Sequence, residues 1–205
     1  MRIGLTGGIA SGKNYIASLF EQKGCHILDA DEVSRLVIEP GGLAYDKVIA
    51  AFGSDITGPD GQIDRKALRT LVVNNPDRLR QLESIIHPAV SEYFRKWSGE
   101  ILGKDSKAIV IYHAPLLIEA EAYKQFDAVI LIYASEKTQF KRLKERGYPP
   151  YEDALKLMQS QMPYAEKLKY ASYVIDNDSS QENACKEVDR IYNLLQIRSY
   201  TDKKI

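Results

Sequence analysis

Short apolar runs alternate with amphipathic stretches along this chain, a pattern typical of a parallel sheet covered by helices. The amphipathic stretches predict helices, among them 13–23, 30–37 and 181–196. Because right-handed crossovers join parallel strands, the alternation predicts an α/β fold with helices on both faces of one sheet. Each apolar run predicts one buried strand of a five-stranded parallel sheet, and the runs are 2–6, 25–28, 108–112, 128–133 and 173–175.

A long stretch without an apolar run separates the second and third predicted strands. Residues 43–103 are predicted to be helical, with Asp64 as an N-cap and Pro88 as a kink or junction. Further on, Ser135 is predicted to cap a basic helix, and a helix over 152–170 is predicted to be interrupted at Pro163. The polar tail 197–205 is predicted to be loose.

The first strand leads into Gly7-Gly8-Ile9-Ala10-Ser11-Gly12-Lys13, which fits the P-loop pattern G-x-x-x-x-G-K. Glycines let backbone N–H groups converge on phosphate oxygens, and the helix that follows adds the positive end of its dipole. A lysine supplies a mobile cation for the outer phosphates. The segment therefore predicts a site for nucleotide phosphates, in which Asn14 stands where a serine or threonine usually binds Mg²⁺.

Other charged residues are predicted at the carboxyl edge of the sheet, where such folds bind ligands. Asp29 and Asp31 follow the second strand, where a carboxylate can accept a proton or hold Mg²⁺; the alternative is that one of them caps the next helix. Asp31 is the favoured catalytic residue. Arg142 and Arg146 lie one helical turn apart and suit a transferred phosphoryl group, or else form a solvated basic face.

Composition argues against several classes of protein, among them nucleic-acid-binding and membrane-spanning proteins. The 205 residues carry a formal net charge of zero, so no electrostatic footprint for nucleic acid is expected. No apolar run approaches the ~18 residues of a membrane span, and no signal sequence is recognised. Cys25 and Cys185 lack metal or redox spacing and are expected to be reduced thiols. These features predict a cytoplasmic protein without nucleic-acid or membrane partners. A monomer or a weak homo-oligomer is expected.

In combination, these motifs resemble the dephospho-coenzyme A kinase family over about residues 1–196. The P-loop is shared by many enzymes, but the ordered set of motifs is specific to the family. Besides the P-loop, the set comprises Asp29-Ala30-Asp31, Val37-Ile38-Glu39-Pro40-Gly41, Asp64 to Leu68, Leu82 to Pro88, Pro115-Leu116-Leu117-Ile118-Glu119, Arg142-Leu143-x-x-Arg146, Gln161-Met162-Pro163 and Tyr173 to Asn177.

The resemblance implies a single P-loop kinase domain over 1–205 with a three-layer fold. Its core would span about 1–42, 104–135 and 166–205, with a helical coenzyme A-binding insertion over about 43–103 and a lid over about 136–165. The implied reaction is ATP-dependent phosphorylation of the ribose 3′-hydroxyl of dephospho-coenzyme A with Mg²⁺, the last step of coenzyme A synthesis. Lid closure would exclude water as a competing phosphate acceptor.

The resemblance also implies roles for individual residues. Lys13, Asp31 and Arg142 would be catalytic, with Asp31 as the base on the 3′-hydroxyl. Asn14 would be a ligand of Mg²⁺, and Asp29 would support the metal from its outer shell. The residues expected to bind ATP are Gly8, Ile9, Ala10, Ser11, Gly12, Lys13, Asn14, Tyr15, Arg142 and Arg146. Those expected to bind dephospho-coenzyme A are Thr6, Asp31, Arg65, His87, Pro88 and Leu116.

The chain departs from the family pattern at several positions. The family usually has Gly at position 10, where Ala10 costs little if its φ is negative, and Ser-Thr where this chain has Asn14-Tyr15. His113, Leu157 and Ser172 stand where acidic, Arg and Asp residues are common. Two alternatives follow: a P-loop kinase with a different acceptor, or a nucleotide-binding module without turnover. A GTPase is disfavoured because no N-K-x-D segment is present.

Overall fold

A computed structural model of the chain describes residues 1–147 and 151–201. It confirms the α/β prediction of a five-stranded parallel sheet. The strand order is β2-β3-β1-β4-β5, and the registers of β1 with β3, β1 with β4 and β4 with β5 are all parallel. The strands are β1 (Arg2–Gly7), β2 (His26–Asp29), β3 (Val110–His113), β4 (Ala128–Tyr133) and β5 (Tyr173–Asp176).

Nine α-helices are present in the described ranges. Six of them are α1 (Lys13–Gln22), α2 (Ala30–Leu36), α3 (Tyr45–Phe52), α4 (Arg65–Val73), α5 (Pro76–Lys104) and α6 (Glu136–Glu145). The other three are α7 (Tyr151–Gln159), α8 (Tyr164–Lys167) and α9 (Gln181–Thr201). Three short 3₁₀ turns complete the structure, at Ser54–Ile56, Ala122–Gln125 and Leu168–Tyr170.

The central strand β1 is buried on both faces, as its apolar sequence predicts. Ile3 and Leu5 are fully buried in a cluster that β1 and β4 form with α1 and α9. On the opposite face a Cβ at Gly4 would lie 2.6 Å from Leu117 Cδ2. This packing holds the carboxyl end of β1, and with it the start of the P-loop, in one position.

The structure tests two predictions about helix boundaries. Helix α5 runs from Pro76 to Lys104 without a break, so Pro88 is not a junction between two helices, whereas the alternative of a kink at Pro88 stays a prediction. Helix α9 continues to Thr201, so 197–201 is helical rather than a loose tail; the prediction for 202–205 lies outside the described residues. Leu195 is fully buried and anchors the last turns of α9 in the core.

The described chain divides into two compact units, one of Asp29–Glu100 and the other of Met1–Leu28 with the described residues from Ile101 on. The unit Asp29–Glu100 is helical apart from an isolated bridge between Thr57 and Ile63. Asp64 caps α4 as predicted, because its carboxylate accepts from the N–H groups of Lys66 and Ala67. The division into an insertion over 43–103 and a lid over 136–165 stays a prediction.

Candidate active site

The loop between β1 and α1 has the geometry of a phosphate cradle. Gly12 adopts a left-handed conformation with φ of 93°, and α1 begins at the next residue. The ammonium of Lys13 reaches back over the loop and donates to the carbonyls of Gly7 at 3.1 Å and Gly8 at 2.9 Å. The lysine thus places positive charge over the start of the loop.

A polar side chain from the segment after β5 braces the back of this loop. Asn177 is 5 % exposed and donates from Nδ2 to the carbonyl of Ser11 at 2.7 Å. A Cβ on Gly12 would overlap that same Nδ2 atom. Glycine is therefore required at position 12 for two reasons, its backbone conformation and the close approach of Asn177.

Ala10 tests one expectation about the loop. Its φ is 54°, in the left-handed region, so the condition under which alanine would cost little, a negative φ, is not met. The residue is buried at 7 % exposure and packs with Leu143 and Ala154. A left-handed alanine places its Cβ close to the following carbonyl oxygen and costs about 1–2 kcal/mol.

Replacing Ala10 by glycine is expected to change the stability of the protein by less than about 0.5 kcal/mol, because relief of the strain is offset by the entropy that glycine loses on folding and by the loss of a buried methyl group. The free energy of unfolding in urea measures the change. Ala50, an exposed residue within α3, is the matched control, since Ala50→Gly is expected to destabilise by about 1 kcal/mol. A loss of similar size in Ala10→Gly would contradict the strain at position 10.

Arg142 lies against the P-loop. Its Nη1 donates to the carbonyls of Ala10 at 3.3 Å and Ser11 at 3.1 Å, and its Nη2 donates to the carbonyl of Asn177 at 2.7 Å. Arg146 is exposed at the C-terminal end of α6. The guanidinium of Arg142 therefore contacts the P-loop, whereas Arg146 is exposed to solvent.

The start of α6 is tied to the segment after β5 by a carboxylate. Asp178 Oδ1 accepts from the N–H and the hydroxyl of Ser135, both at 2.8 Å. Ser135 caps α6 as predicted, accepting from the N–H of Thr138. Hydrogen bonding from the Thr138 hydroxyl, followed by that from Ser135, holds the pKa of Asp178 below its usual value.

Asn14 and Tyr15, the two unusual residues after the lysine, have different surroundings. Asn14 is exposed, and its amide makes no hydrogen bond within the described part of the chain. The Tyr15 hydroxyl lies 3.6 Å from Cys185 Sγ on α9, and this hydrogen bond raises the pKa of the phenol. The Tyr15 side chain therefore packs toward α9, which leaves its backbone N–H as the group available to a phosphate.

The two aspartates after β2 have distinct roles in the helix that follows. Asp29 is the N-cap of α2, accepting from the N–H of Asp31 at 2.8 Å, which confirms for Asp29 the capping alternative. The carboxylate of Asp31 is exposed and has no hydrogen bond or ion pair within 1–147 and 151–201. No group of three or more His, Cys, Asp or Glu in those ranges is arranged to hold a metal ion.

The residues expected to bind the acceptor belong to several elements of the structure. Thr6 is fully buried and donates to the carbonyl of Pro115 at 3.3 Å, while Leu116 is 48 % exposed. His87 and Pro88 lie exposed on α5. Arg65 begins α4 and lines a groove of about 480 Å³ within the helical unit.

That groove combines positive charge with an apolar floor. Its walls carry four exposed cations and its floor is aliphatic, a combination suited to a ligand with both anionic and apolar parts. The cations are Arg35, Arg65, Lys66 and Arg69, and the floor consists of Ile38, Leu68, Val72, Leu82 and Ile86.

A second cavity, of about 590 Å³, lies beside the P-loop and contains residues to which the sequence assigned no role. Gly8, Gln161 and Lys167 are among its lining residues. Lys167 is 2 % exposed and pairs with Glu119 at 2.8 Å. Gln161 and Glu119 belong to motifs quoted above, but Lys167 carries no sequence signal, because only burial distinguishes it from the other lysines.

Comparisons with known proteins agree with the family resemblance of the sequence. The family model for Dephospho-CoA kinase matches residues 1–183. A curated dephospho-CoA kinase from Geobacter metallireducens is 44 % identical over 186 residues, covering 91 % of this chain and 92 % of its own length. The solved dephospho-CoA kinase from Campylobacter jejuni has a TM-score of 0.73 at 27 % identity, covering 96 % of this chain and 98 % of that one.

A more distant solved structure shows the fold alone. Shikimate kinase from Acinetobacter baumannii superposes with a TM-score of 0.51 at 18 % identity, covering 96 % of this chain and 93 % of that one. The prediction of a P-loop kinase fold is therefore confirmed by structural neighbours as well as by sequence relatives.

Proposed function

We propose that this chain, which belongs to the dephospho-CoA kinase family, phosphorylates the ribose 3′-hydroxyl of dephospho-coenzyme A with ATP and yields coenzyme A and ADP. The observation that carries the proposal is the family match over residues 1–183. The P-loop supports the match on chemical grounds, because its conformation and the position of Lys13 suit a nucleoside triphosphate.

On the ATP side, backbone N–H groups from Gly8 to Tyr15 would hold the phosphates, apart from those of Ile9 and Ser11, which donate to Gln161 Oε1 and to the carbonyl of Gly8. Lys13 would exchange its bonds to the carbonyls of Gly7 and Gly8 for the outer phosphates, where an ammonium balances more charge than a carbonyl dipole does. Arg142 already lies at the loop and would stabilise negative charge there, with Arg146 approaching from the end of α6.

On the acceptor side, the ribose 3′-oxygen would attack the terminal phosphorus while the bond to the bridging oxygen breaks and ADP leaves. Asp31 would accept the hydroxyl proton, since its carboxylate is exposed and has no partner among the described residues. The cationic groove of the helical unit suits the diphosphate and the pantetheine arm of dephospho-coenzyme A. Arg65 lines this groove, while His87 and Pro88 follow Ile86 on α5.

Magnesium is part of the proposal. Mg²⁺ keeps several waters and takes phosphate oxygens as ligands, so it needs few protein oxygens. Asn14 fits this demand, because its exposed amide next to Lys13 has no hydrogen bond within the described ranges. Asp29 would support the ion from its outer shell. When bound, the ion would neutralise charge on the β- and γ-phosphates.

The composition of the chain supports a proposal about its location and partners in the cell. We place the enzyme in the cytoplasm, acting on ATP and dephospho-coenzyme A as a monomer or weak homo-oligomer, without nucleic acid or membrane partners. The zero net charge and the two free cysteines support this setting. No helix in the described part of the chain has the length and apolar character to span a bilayer.

The test is product identification by mass spectrometry after incubation with ATP, Mg²⁺ and dephospho-coenzyme A. We expect a product heavier by one phosphoryl group, with the phosphate on the ribose 3′-oxygen. Parallel reactions with adenosine and with AMP as acceptors control for acceptor identity. Phosphorylation of these acceptors, or no product despite measurable ATP binding, would overturn the proposed function.

A further inference from the structure

The segment Gln161-Met162-Pro163, which the proposed function leaves without a role, lies directly against the P-loop. The backbone N–H of Ile9 donates to Gln161 Oε1 at 2.8 Å. A backbone N–H can only donate, so the amide oxygen must face Ile9, and the amide NH₂ group keeps both of its N–H donors for other acceptors. That NH₂ group has no hydrogen-bond acceptor within 1–147 and 151–201, and Gln161 lines the 590 Å³ cavity.

The bonds of Lys13 indicate which end of the phosphate cradle Gln161 occupies. The lysine of a P-loop reaches the β- and γ-phosphates, so its ammonium marks the outer end of the triphosphate. Here that ammonium lies 2.9 Å from the carbonyl of Gly8, the residue before Ile9. Gly8 and Gln161 line the same cavity. The Gln161 amide is therefore at the end of the cradle that receives the terminal phosphate.

A buried ion pair holds this amide in place. Glu119 Oε1 accepts from the N–H of Met162 at 3.1 Å and from the ammonium of Lys167 at 2.8 Å. The ammonium of Lys167 also donates to the carbonyl of Pro115 at 3.4 Å, and the side chain is 2 % exposed. A charge buried to this extent is tightly localised by its partners, so the carboxylate that accepts from the N–H of Met162, the residue after Gln161, is itself held in place.

We propose that Gln161 is a phosphate-binding residue of this enzyme, whose amide NH₂ donates to the terminal phosphoryl group of the bound nucleotide. Glu119 and Lys167 are its positioning residues. A neutral amide donor contributes most as charge spreads over the terminal oxygens during transfer. The inference rests on the proposed function for its reaction, but it makes a statement about nucleotide binding that needs no acceptor.

The test compares two substitutions at this position. Gln161→Glu keeps an oxygen that accepts from Ile9 N–H but replaces the NH₂ donor with a second oxygen. Gln161→Leu removes both. Binding affinity is measured by isothermal titration calorimetry in the presence of Mg²⁺, with ADP and with the β,γ-imido analogue of ATP. Because only the analogue carries a terminal phosphate, the comparison separates the contact with that phosphate from contacts with the rest of the nucleotide. Gln125→Glu, on an exposed 3₁₀ turn, is the charge control.

We expect Gln161→Glu to weaken binding of the imido analogue by about tenfold or more and to change ADP binding by less than about threefold. We expect kcat for coenzyme A formation to fall by about 10²-fold, and Gln125→Glu to match the wild type. If Gln161 only braces the loop, Gln161→Glu will bind both nucleotides normally and Gln161→Leu will weaken both equally, which overturns the inference. Absence of coenzyme A from the wild type would instead overturn the proposed function and leave the binding comparison intact.

Discussion

Replacing Lys13 by methionine is expected to lower kcat for coenzyme A formation by about 10³-fold. Methionine fills a similar length of side chain but carries no charge. The ammonium sits over the start of the P-loop, where it donates to the carbonyls of Gly7 and Gly8. Negative charge spreads over the terminal phosphoryl oxygens during transfer, so the loss is larger in the transition state than in the bound ground state.

Initial rates measured over a range of ATP concentrations separate the two contributions. We expect kcat to fall by more than KM rises, and the free energy of unfolding to change little because Lys13 is half-buried and its ammonium donates to carbonyls of the loop itself. Lys186→Met is the matched control, since Lys186 is an exposed lysine on α9 with 70 % of its side chain in solvent. A kcat within tenfold of the wild type would remove Lys13 from the catalytic residues.

Replacing Asp31 by asparagine is expected to lower kcat by about 10³-fold, within the range that loss of a general base produces. The amide has the shape of the carboxylate but cannot accept the hydroxyl proton. The substitution leaves the cap of α2 in place, because Asp29 accepts from the backbone N–H of residue 31 and not from its side chain. We therefore expect stability to fall by less than about 1 kcal/mol, the contribution of an acidic residue in a first helical turn.

The neighbouring residue provides the control for this experiment. Glu32 is exposed in the same first turn of α2, so Glu32→Gln removes an equivalent charge without removing the proposed base. We expect Glu32→Gln to keep wild-type kcat and the wild-type KM for dephospho-coenzyme A. Near-normal turnover in Asp31→Asn would show that another group, or solvent, takes the proton.

Periodicity and turn chemistry made much of the fold predictable. All five strands appear within one or two residues of the apolar runs, because the strands of a parallel sheet that helices cover need apolar side chains on both faces. The caps at Asp64 and Ser135 were also predictable, since a side-chain oxygen before a helix satisfies local N–H groups. Boundaries that depend on distant packing were not, as the extension of α9 beyond residue 196 shows.

Some features of the candidate site could likewise be predicted from the sequence, and others could not. The P-loop, the aspartates after β2 and the paired arginines could be named from local patterns, because phosphate binding needs particular residue types at fixed spacing. The left-handed φ of Ala10 could not, since alanine rarely adopts it and only the closed loop imposes it. Nor could the interaction of Arg142 with the carbonyls of Ala10 and Ser11, which lie more than a hundred residues earlier in the chain.

The sequence by itself therefore determined the class of fold, the phosphate cradle and the family. Each of these depends on short segments in which local geometry restricts the type of residue. What only the tertiary structure decided is which polar side chains support the cradle. Asn177 behind Ser11, and Glu119 with Lys167 behind Gln161, are brought together from separate segments of the chain. Their partners are distant in sequence, and burial that fixes a hydrogen bond or an ion pair is a property of the folded chain alone.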